Sequence, residues 1–190
     1  MIKIKDKKDS IYKMKELGLN YFPQDVFDVQ DLTGIKMFFD TFQVDEYVLR
    51  SPDKAMGNFY YVKSFDEAVP LLKNFNDFVT ISVSYRQYKD DLIIVGDIKI
   101  HKGFDGFDTV DLTARTDKEA TQRNIYENPQ YNLHCSLEDN KVWNIPGFSK
   151  IVRYIIDHEL YDVIVEFSVY DGRYGVNKEN VVITELRTSY

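Results

Sequence analysis

Two runs near the C-terminus carry charge where apolar side chains dominate. Asp162-Val-Ile-Val-Glu-Phe-Ser-Val-Tyr-Asp-Gly holds Glu166, and Val181-Val-Ile-Thr-Glu-Leu-Arg holds Glu185 and Arg187. Both read as strands, joined by a turn. Side chains two apart on a strand share a face, so Glu185 and Arg187 point the same way, and Glu166 joins them if the strands pair. Two carboxylates and a guanidinium on one sheet face suit a Mg²⁺-bound polyphosphate. Carboxylates take part of the metal shell, and the guanidinium forks onto phosphate oxygens. The same pattern also suits a cross-strand salt bridge on a solvated face.

The chain that must position these groups has 190 residues, enough for one domain with a real core or for a tightly joined two-lobed unit. Hydrophobic residues make up 44%, and 14 Tyr and 13 Phe supply much of the apolar volume, which is a globular composition. The net charge of −7 and the pI near 5.0 argue against a broad, sequence-independent grip on nucleic acid. Asp105, Asp108, Asp111 and Asp117 gather acidity in one region, which reads as a solvated face. Cys135 is the single cysteine, so no internal disulfide forms, and a buried structural role is expected for it. Met1 to Lys8 has charge but no apolar segment of the signal-peptide kind, and the longest purely apolar run, Leu92 to Val95, is too short to cross a bilayer. The expected location is the cytoplasm, without membrane association.

Periodicity places the elements. Ser10 to Leu17 reads as a helix with Ser10 as cap and Gly18 as stop, and Leu32 to Phe42 as a second helix behind Asp31. Glu46 to Arg50 and Asn58 to Val62 read as strands. Ser64-Phe-Asp-Glu67 has the form of a capping box, with Pro70 restarting a helix through Phe75. Phe78 to Tyr85, Leu92 to His101 and Phe107 to Ala114 read as an antiparallel meander, its first turn at Lys89-Asp90-Asp91. Asp117 to Glu127 and Phe148 to His158 read as helices ahead of the terminal strand pair. Blocks of strand and helix of this kind define an α+β class.

Several chemistries lack their motifs. There is no Walker-type phosphate loop, no G-x-G-x-x-G, no nucleophile elbow and no C-x-x-C, and Gly103 to Gly106 reads as a plain hairpin turn that could at most act as a small flap. His101, His134 and His158 are scattered, and His158 suits a helix C-terminus. Hydrolase and zinc-enzyme readings have little support.

Three segments, in order, resemble the nucleotide-binding domain of phosphoenolpyruvate synthase and pyruvate phosphate dikinase. Lys7-Lys-Asp-Ser-Ile-Tyr-Lys-Met-Lys-Glu-Leu-Gly-Leu-Asn-Tyr-Phe-Pro resembles its opening, where a lysine precedes a short helix and Gly-Leu. Glu46-Tyr-Val-Leu-Arg-Ser resembles its strand ending in Val-Arg-Ser-Ser. Asp162-Val-Ile-Val-Glu-Phe and Val182-Ile-Thr-Glu-Leu-Arg resemble its closing strands. The resemblance implies a compact ATP-grasp-like, two-lobed α+β domain with antiparallel sheets, spanning 1–190 as one unit, with a smaller first lobe at about 1–75 and a second at about 76–190. It implies ATP and Mg²⁺ as cofactors. Lys7, Arg50 and Arg187 would hold phosphates, Lys63 could add a cation, and Glu166 and Glu185 would hold the metal. Thr80 to Val83 would pass the adenine. The family's glutamine is Glu185 here, and its glycine-rich flap and phosphohistidine domain are not evident.

The function expected on these grounds is ATP and Mg²⁺ binding, as a small ATP-dependent ligase or phosphotransferase. The alternative is a nucleotide-sensing or protein-interaction domain on the same scaffold, for which the tyrosines would suit a protein partner.

Overall fold

A computed structural model describes residues 3–52, 57–120 and 124–188. Helix α1 spans Lys7–Glu16 and starts three residues earlier than expected, because Asp6 rather than Ser10 is the cap: its carboxylate accepts from the Asp9 amide at 2.8 Å. Strand β1 (Gln24–Asp28) was not expected from the sequence. It is followed by α2 (Leu32–Thr41), capped by Asp31, and by β2 (Tyr47–Arg50) and β3 (Phe59–Val62). The capping box at Ser64 opens a single turn, α3 (Phe65–Ala68), and Pro70 sits in a 3₁₀ helix over Val69–Asn74. Next come β4 (Phe78–Val83), β5 (Leu92–His101) and β6 (Thr109–Arg115). Of the helix expected over Asp117 to Glu127, residues 121–123 lie outside the described residues, and the described helical part is α4 (Asn124–Glu127). The chain ends with β7 (Tyr131–Ser136), α5 (Phe148–Asp157), β8 (Ile164–Tyr174) and β9 (Glu179–Arg187).

The strands form two antiparallel sheets, β1-β4-β2-β3 and β7-β6-β5-β8-β9. The expected meander is therefore corrected: β4 and β5 belong to different sheets. Tyr85–Asp91 is not a turn but a 3₁₀ helix, capped by the Ser84 hydroxyl, that carries the chain from one sheet to the other. The pairing of β5 with β6 and of β8 with β9 is as expected. The small sheet runs on through Val83, whereas Ile11, Met14 and Leu19 pack into the core of the large sheet, so both chain segments cross the division expected near residue 75.

Each sheet buries one face. Tyr47, Leu49, Val79 and Ile81 of the small sheet pack on Ile35, Phe38 and Phe39 of α2. Ile94, Ile98, Val165, Phe167, Val169 and Leu186 of the large sheet pack on Ile151, Val152 and Ile155 of α5 and on Ile11 and Met14 of α1. Alternation then sends the intervening side chains of both sheets to the opposite faces.

The edge of β9 is covered by the N-terminal segment. Ser10 is buried, and its hydroxyl accepts from the Leu186 amide at 2.7 Å; Tyr21 bridges Ile183 in parallel. Asn20, fully buried, donates to the carbonyls of Tyr174 (2.9 Å) and Val181 (2.6 Å) and accepts from the Asn177 amide (2.9 Å). Gly175, at φ 76°, turns β8 into β9 directly against it, where a side chain would collide with the Asn20 amide. This seam fixes α1, and so Lys7, relative to Glu185 and Arg187.

Candidate functional site

The face of the large sheet turned away from α5 carries a row of carboxylates. Asp97 on β5 stands opposite Glu166 on β8, and Glu166 stands opposite Glu185 on β9. Directly opposed residues share a face, so the three form a line across adjacent strands. A β-bulge makes this possible. Glu166 faces Glu185 but Phe167 faces Ile183, so Thr184 is the extra residue. Without it, strict alternation would put Glu185 on the side of Ile183, inside the core.

Cations close around the row. The Arg187 guanidinium reaches Asp97 Oδ2 at 2.5 Å, Glu166 Oε1 at 2.8 Å and the Tyr126 hydroxyl at 2.8 Å. Lys7 Nζ lies 3.8 Å from Glu185 Oε2. Arg50 comes from the small sheet. It is paired with Thr80 across β2 and β4, shares that face with Gln24, and donates to Gln24 Oε1 at 3.2 Å. It lies close enough to Lys7 and Glu166 to act on the charge of both. Lys7, Arg50, Arg187, Glu166 and Glu185, all singled out in the sequence, thus converge between the two sheets. Lys63 does not join them. It follows β3 at the end away from Arg50 and lines a separate depression of about 610 Å³ with Lys36, Asp40 and Asp66.

Asp97 was missed in the sequence. Its run, Val-Gly-Asp-Ile-Lys, looks like ordinary alternation, and its role depends on pairing with a strand far along the chain. The Asp97 side chain has no solvent exposure, and its Oδ1 has no hydrogen-bond partner, nor have the buried Arg50 Nε and Thr80 Oγ1. Buried polar atoms are nearly always satisfied, so unpartnered atoms on Asp97 of one sheet and on Arg50 and Thr80 of the other are exceptions to that rule.

The electrostatics carry the same strain. Burial pushes the Glu166 carboxyl above the usual carboxylate range, as do the flanking Glu185 and Asp97, while Arg187 and Arg50 oppose the rise. Burial also raises Asp97, against the pull of Arg187. Burial and the neighbouring Arg50 lower the Lys7 ammonium, with Glu185 opposing. Raised carboxyls hold protons more tightly in the folded chain than in the unfolded one, so their contribution is fully present at acid pH and is lost as pH rises. We expect the denaturant midpoint of the ligand-free protein to fall as pH rises from the ordinary carboxylate range to neutrality. A midpoint that climbs over that interval would contradict the assignment.

Beside the cluster, a depression of about 480 Å³ is lined by Lys8, Ser51, Asn58, Asn74 and Phe78, among others. Lys8 and Ser51 directly follow Lys7 and Arg50 in the chain. Among the described residues no three His, Cys, Asp or Glu side chains are grouped to hold a metal unaided.

The histidines are less scattered than the sequence suggests. His101 and His134 both bond to Asp111, the former at 2.6 Å, and hydrogen bonds from the two rings hold the Asp111 carboxyl below its usual range although burial works the other way. Of the four aspartates expected on a solvated acidic face, Asp117 is also engaged, by Arg115 at 2.6 Å. Cys135 is half-buried against the large core, less enclosed than expected. Residues 102–108 form the hairpin turn between β5 and β6, as expected. No helix among the described residues is long and apolar enough to cross a membrane.

Two antiparallel sheets, the larger backed by helices and carrying the carboxylate row, make an α+β domain of ATP-grasp-like fold. No protein-family model matches the chain, and no curated protein matches it in sequence. Among solved structures it is similar to the D-alanine–D-alanine ligase of Coxiella burnetii, with TM-score 0.53 and 11% identity over 95% of this chain and 46% of that one. It is similar to N5-carboxyaminoimidazole synthetase of Staphylococcus aureus complexed with ADP, with TM-score 0.57 and 10% identity over 97% of this chain and 44% of that one. It also resembles the macrocyclase MdnC of Microcystis aeruginosa, bound with precursor peptide MdnA, with TM-score 0.50 and 10% identity over 97% and 52% of the two chains. The chain therefore spans about half the length of the structures it matches, and at these identities the likeness is one of fold.

Proposed function

We propose that this chain binds ATP with Mg²⁺ in the cleft between its two sheets. One observation carries the reading: three carboxylates in register on one sheet meet three cations, one from that sheet, one from α1 and one from the opposite sheet, with orphaned polar atoms among them. Burying so many charges costs stability, and a ligand that completes the set accounts for their being there. Glu166 and Glu185 hold the metal, Lys7 and Arg50 the phosphates, and Arg187 the terminal one, the roles that the motif resemblance implies, with Glu185 standing where that family has a glutamine. Bound Mg²⁺ would draw charge from the phosphate oxygens. The residues present fit it: the opposed Glu166 and Glu185 offer hard oxygen ligands, and Lys7 and Arg50 lie close enough to repel one another, a repulsion that an anion would relieve. Thr80, buried with its hydroxyl unpartnered on the strand that passes between Gln24 and Arg50, lines the path of the nucleotide.

The ADP complex of a structural neighbour supports the choice of nucleotide, and the ligase neighbour favours the ligase reading over the phosphotransferase one. A second reading, nucleotide sensing without turnover, is favoured by the commitment of Arg187 to Asp97, Glu166 and Tyr126 rather than to open cleft.

The test is calorimetric titration of ATP with Mg²⁺. Wild-type protein binds, and Glu185→Gln weakens binding on the order of tenfold, the loss of about 1.4 kcal/mol expected when one metal ligand keeps its shape but not its charge. The variant's free energy of unfolding stays within about 0.5 kcal/mol of wild type. Unchanged affinity in Glu185→Gln would remove Glu185 from the metal site. Following ADP and phosphate release in parallel separates turnover from binding alone.

A further inference from the structure

We propose that Asp97 is a positioning residue that parks Arg187 among the carboxylates when no nucleotide is bound, and so makes nucleotide binding depend on a divalent cation. The inference rests on the ATP and Mg²⁺ reading above and extends it to a residue that belongs to neither the metal nor the phosphate set.

The argument begins with where the guanidinium lies. One terminal nitrogen of Arg187 serves Asp97, Glu166 and Tyr126 together. Glu166 is one of the two carboxylates proposed for the metal, so Arg187 occupies part of the space a cation would take. Asp97 is the tighter of its two carboxylate partners at 2.5 Å against 2.8 Å, and it is the one without solvent exposure. Low surrounding polarity strengthens that contact. Strand pairing fixes its place, since Asp97 is locked in register with Glu166 and its backbone lies in the centre of the five-stranded sheet. Arg187, by contrast, keeps 27% of its side chain exposed, which leaves it room to turn. Tyr126, itself exposed, closes the parked position from the other side.

Two positive groups cannot both claim Glu166 at close range. A divalent cation arriving between Glu166 and Glu185 repels the parked guanidinium, and the terminal phosphate offers it a new bidentate partner. Metal entry and the transfer of Arg187 are then one coupled event, and Asp97 sets the coupling by holding Arg187 back while the metal is absent. A ligand shifts such an equilibrium only by its differential affinity for the two positions, so weakening the parked one must raise metal-free affinity for the nucleotide.

The experiment measures ATP dissociation constants with Mg²⁺ and with EDTA for wild type, Asp97→Asn, Arg187→Gln and the double variant. In wild type, Mg²⁺ tightens ATP binding within the 5–150-fold range of ordinary coupling, about 50-fold. In Asp97→Asn, metal-free binding strengthens about tenfold while binding with Mg²⁺ changes less than about threefold, so the coupling shrinks. A residue that matters only for folding would move both constants alike. In the Arg187→Gln background the Asp97→Asn change has no effect on metal-free affinity; an equal effect there would mean that loss of a negative charge, not release of Arg187, is at work, and would overturn the proposal. If Arg187→Gln does not fold, NMR of the arginine side chains replaces it. Slow rotation of the Arg187 guanidinium is seen in free wild type and vanishes in Asp97→Asn. A guanidinium equally mobile in both overturns the parking. Wild type that binds ATP with the same Mg²⁺ enhancement as Asp97→Asn sinks this inference and leaves the nucleotide reading standing. No ATP binding by wild type, with or without Mg²⁺, sinks the nucleotide reading and this inference with it.

Discussion

Arg187→Ala lowers the stability of the ligand-free protein by about 3 kcal/mol, measured as the free energy of unfolding in urea, the lower end of what breaking a buried ion pair costs. The size follows from what remains behind. Asp97, with no solvent exposure, and Glu166, nearly as enclosed, lose their only close guanidinium contact, and Asp97 already has one oxygen without a partner. Both carboxyls then bind protons, so the variant's deficit shrinks in acid and widens toward neutral pH. The double change Asp97→Asn with Arg187→Gln recovers part of the loss, because it removes the Asp97 charge along with the guanidinium and leaves only Glu166 without its partner. A fall below 0.5 kcal/mol for Arg187→Ala would mean that water reaches the cluster far better than its burial indicates.

Asn20→Ala costs a similar amount, about 3 kcal/mol, by a different route. The amide of Asn20 joins two carbonyls and one backbone amide of the β8–β9 hairpin, all at 2.6–2.9 Å, the bond to Val181 buried and the other two part-buried. Truncation leaves those groups to be solvated in a site with no space designed for water, at about 1 kcal/mol or more each. Asn20→Asp keeps the acceptor and loses the donors, so it ranks between wild type and alanine in acid, where its carboxyl can donate, and falls toward alanine as that carboxyl ionises. Equal urea midpoints for all three proteins would show that the seam is not held by this side chain. Because the seam fixes α1 against β9, Asn20→Ala should also loosen nucleotide binding without any contact to the nucleotide.

Much of the candidate site could be read in the sequence because its signals are local. Glu185 and Arg187 are two apart in one strand, and Glu166 stands alone in an apolar run. The resemblance of three short segments placed Lys7 and Arg50 with them, and the register of β8 with β9 agrees. What could not be read depends on pairing at long range. Asp97 joins the row only through the β5–β8 ladder. His101 and His134 meet only because β5, β6 and β7 are adjacent and aligned at Asp111. The bulge at Thr184 is also invisible, since strict alternation from Val181 would have turned Glu185 inward. The interval after β4 misled for a related reason. Lys89-Asp90-Asp91 has turn chemistry, but turn chemistry does not say whether the chain returns to the same sheet, and Tyr85–Asp91 leads it to the other one. Strand β1 was hidden by its mixture of Gln24, Asp25 and Asp28 with only two apolar residues, a pattern that its edge position permits.

The bond between Ser10 and the Leu186 amide joins positions 176 residues apart. Seen in time rather than space, this makes the cleft a late event. Lys7 emerges from the ribosome well before Arg187, with both sheets between them. A growing chain has the small sheet once Val83 is out, but the large sheet lacks its edge strand, and the carboxylate row its third member, until β9 is made. Closing so long a loop is entropically slow compared with forming the β5–β6 hairpin. The charged cluster should therefore assemble abruptly once β9 has been made, and not before.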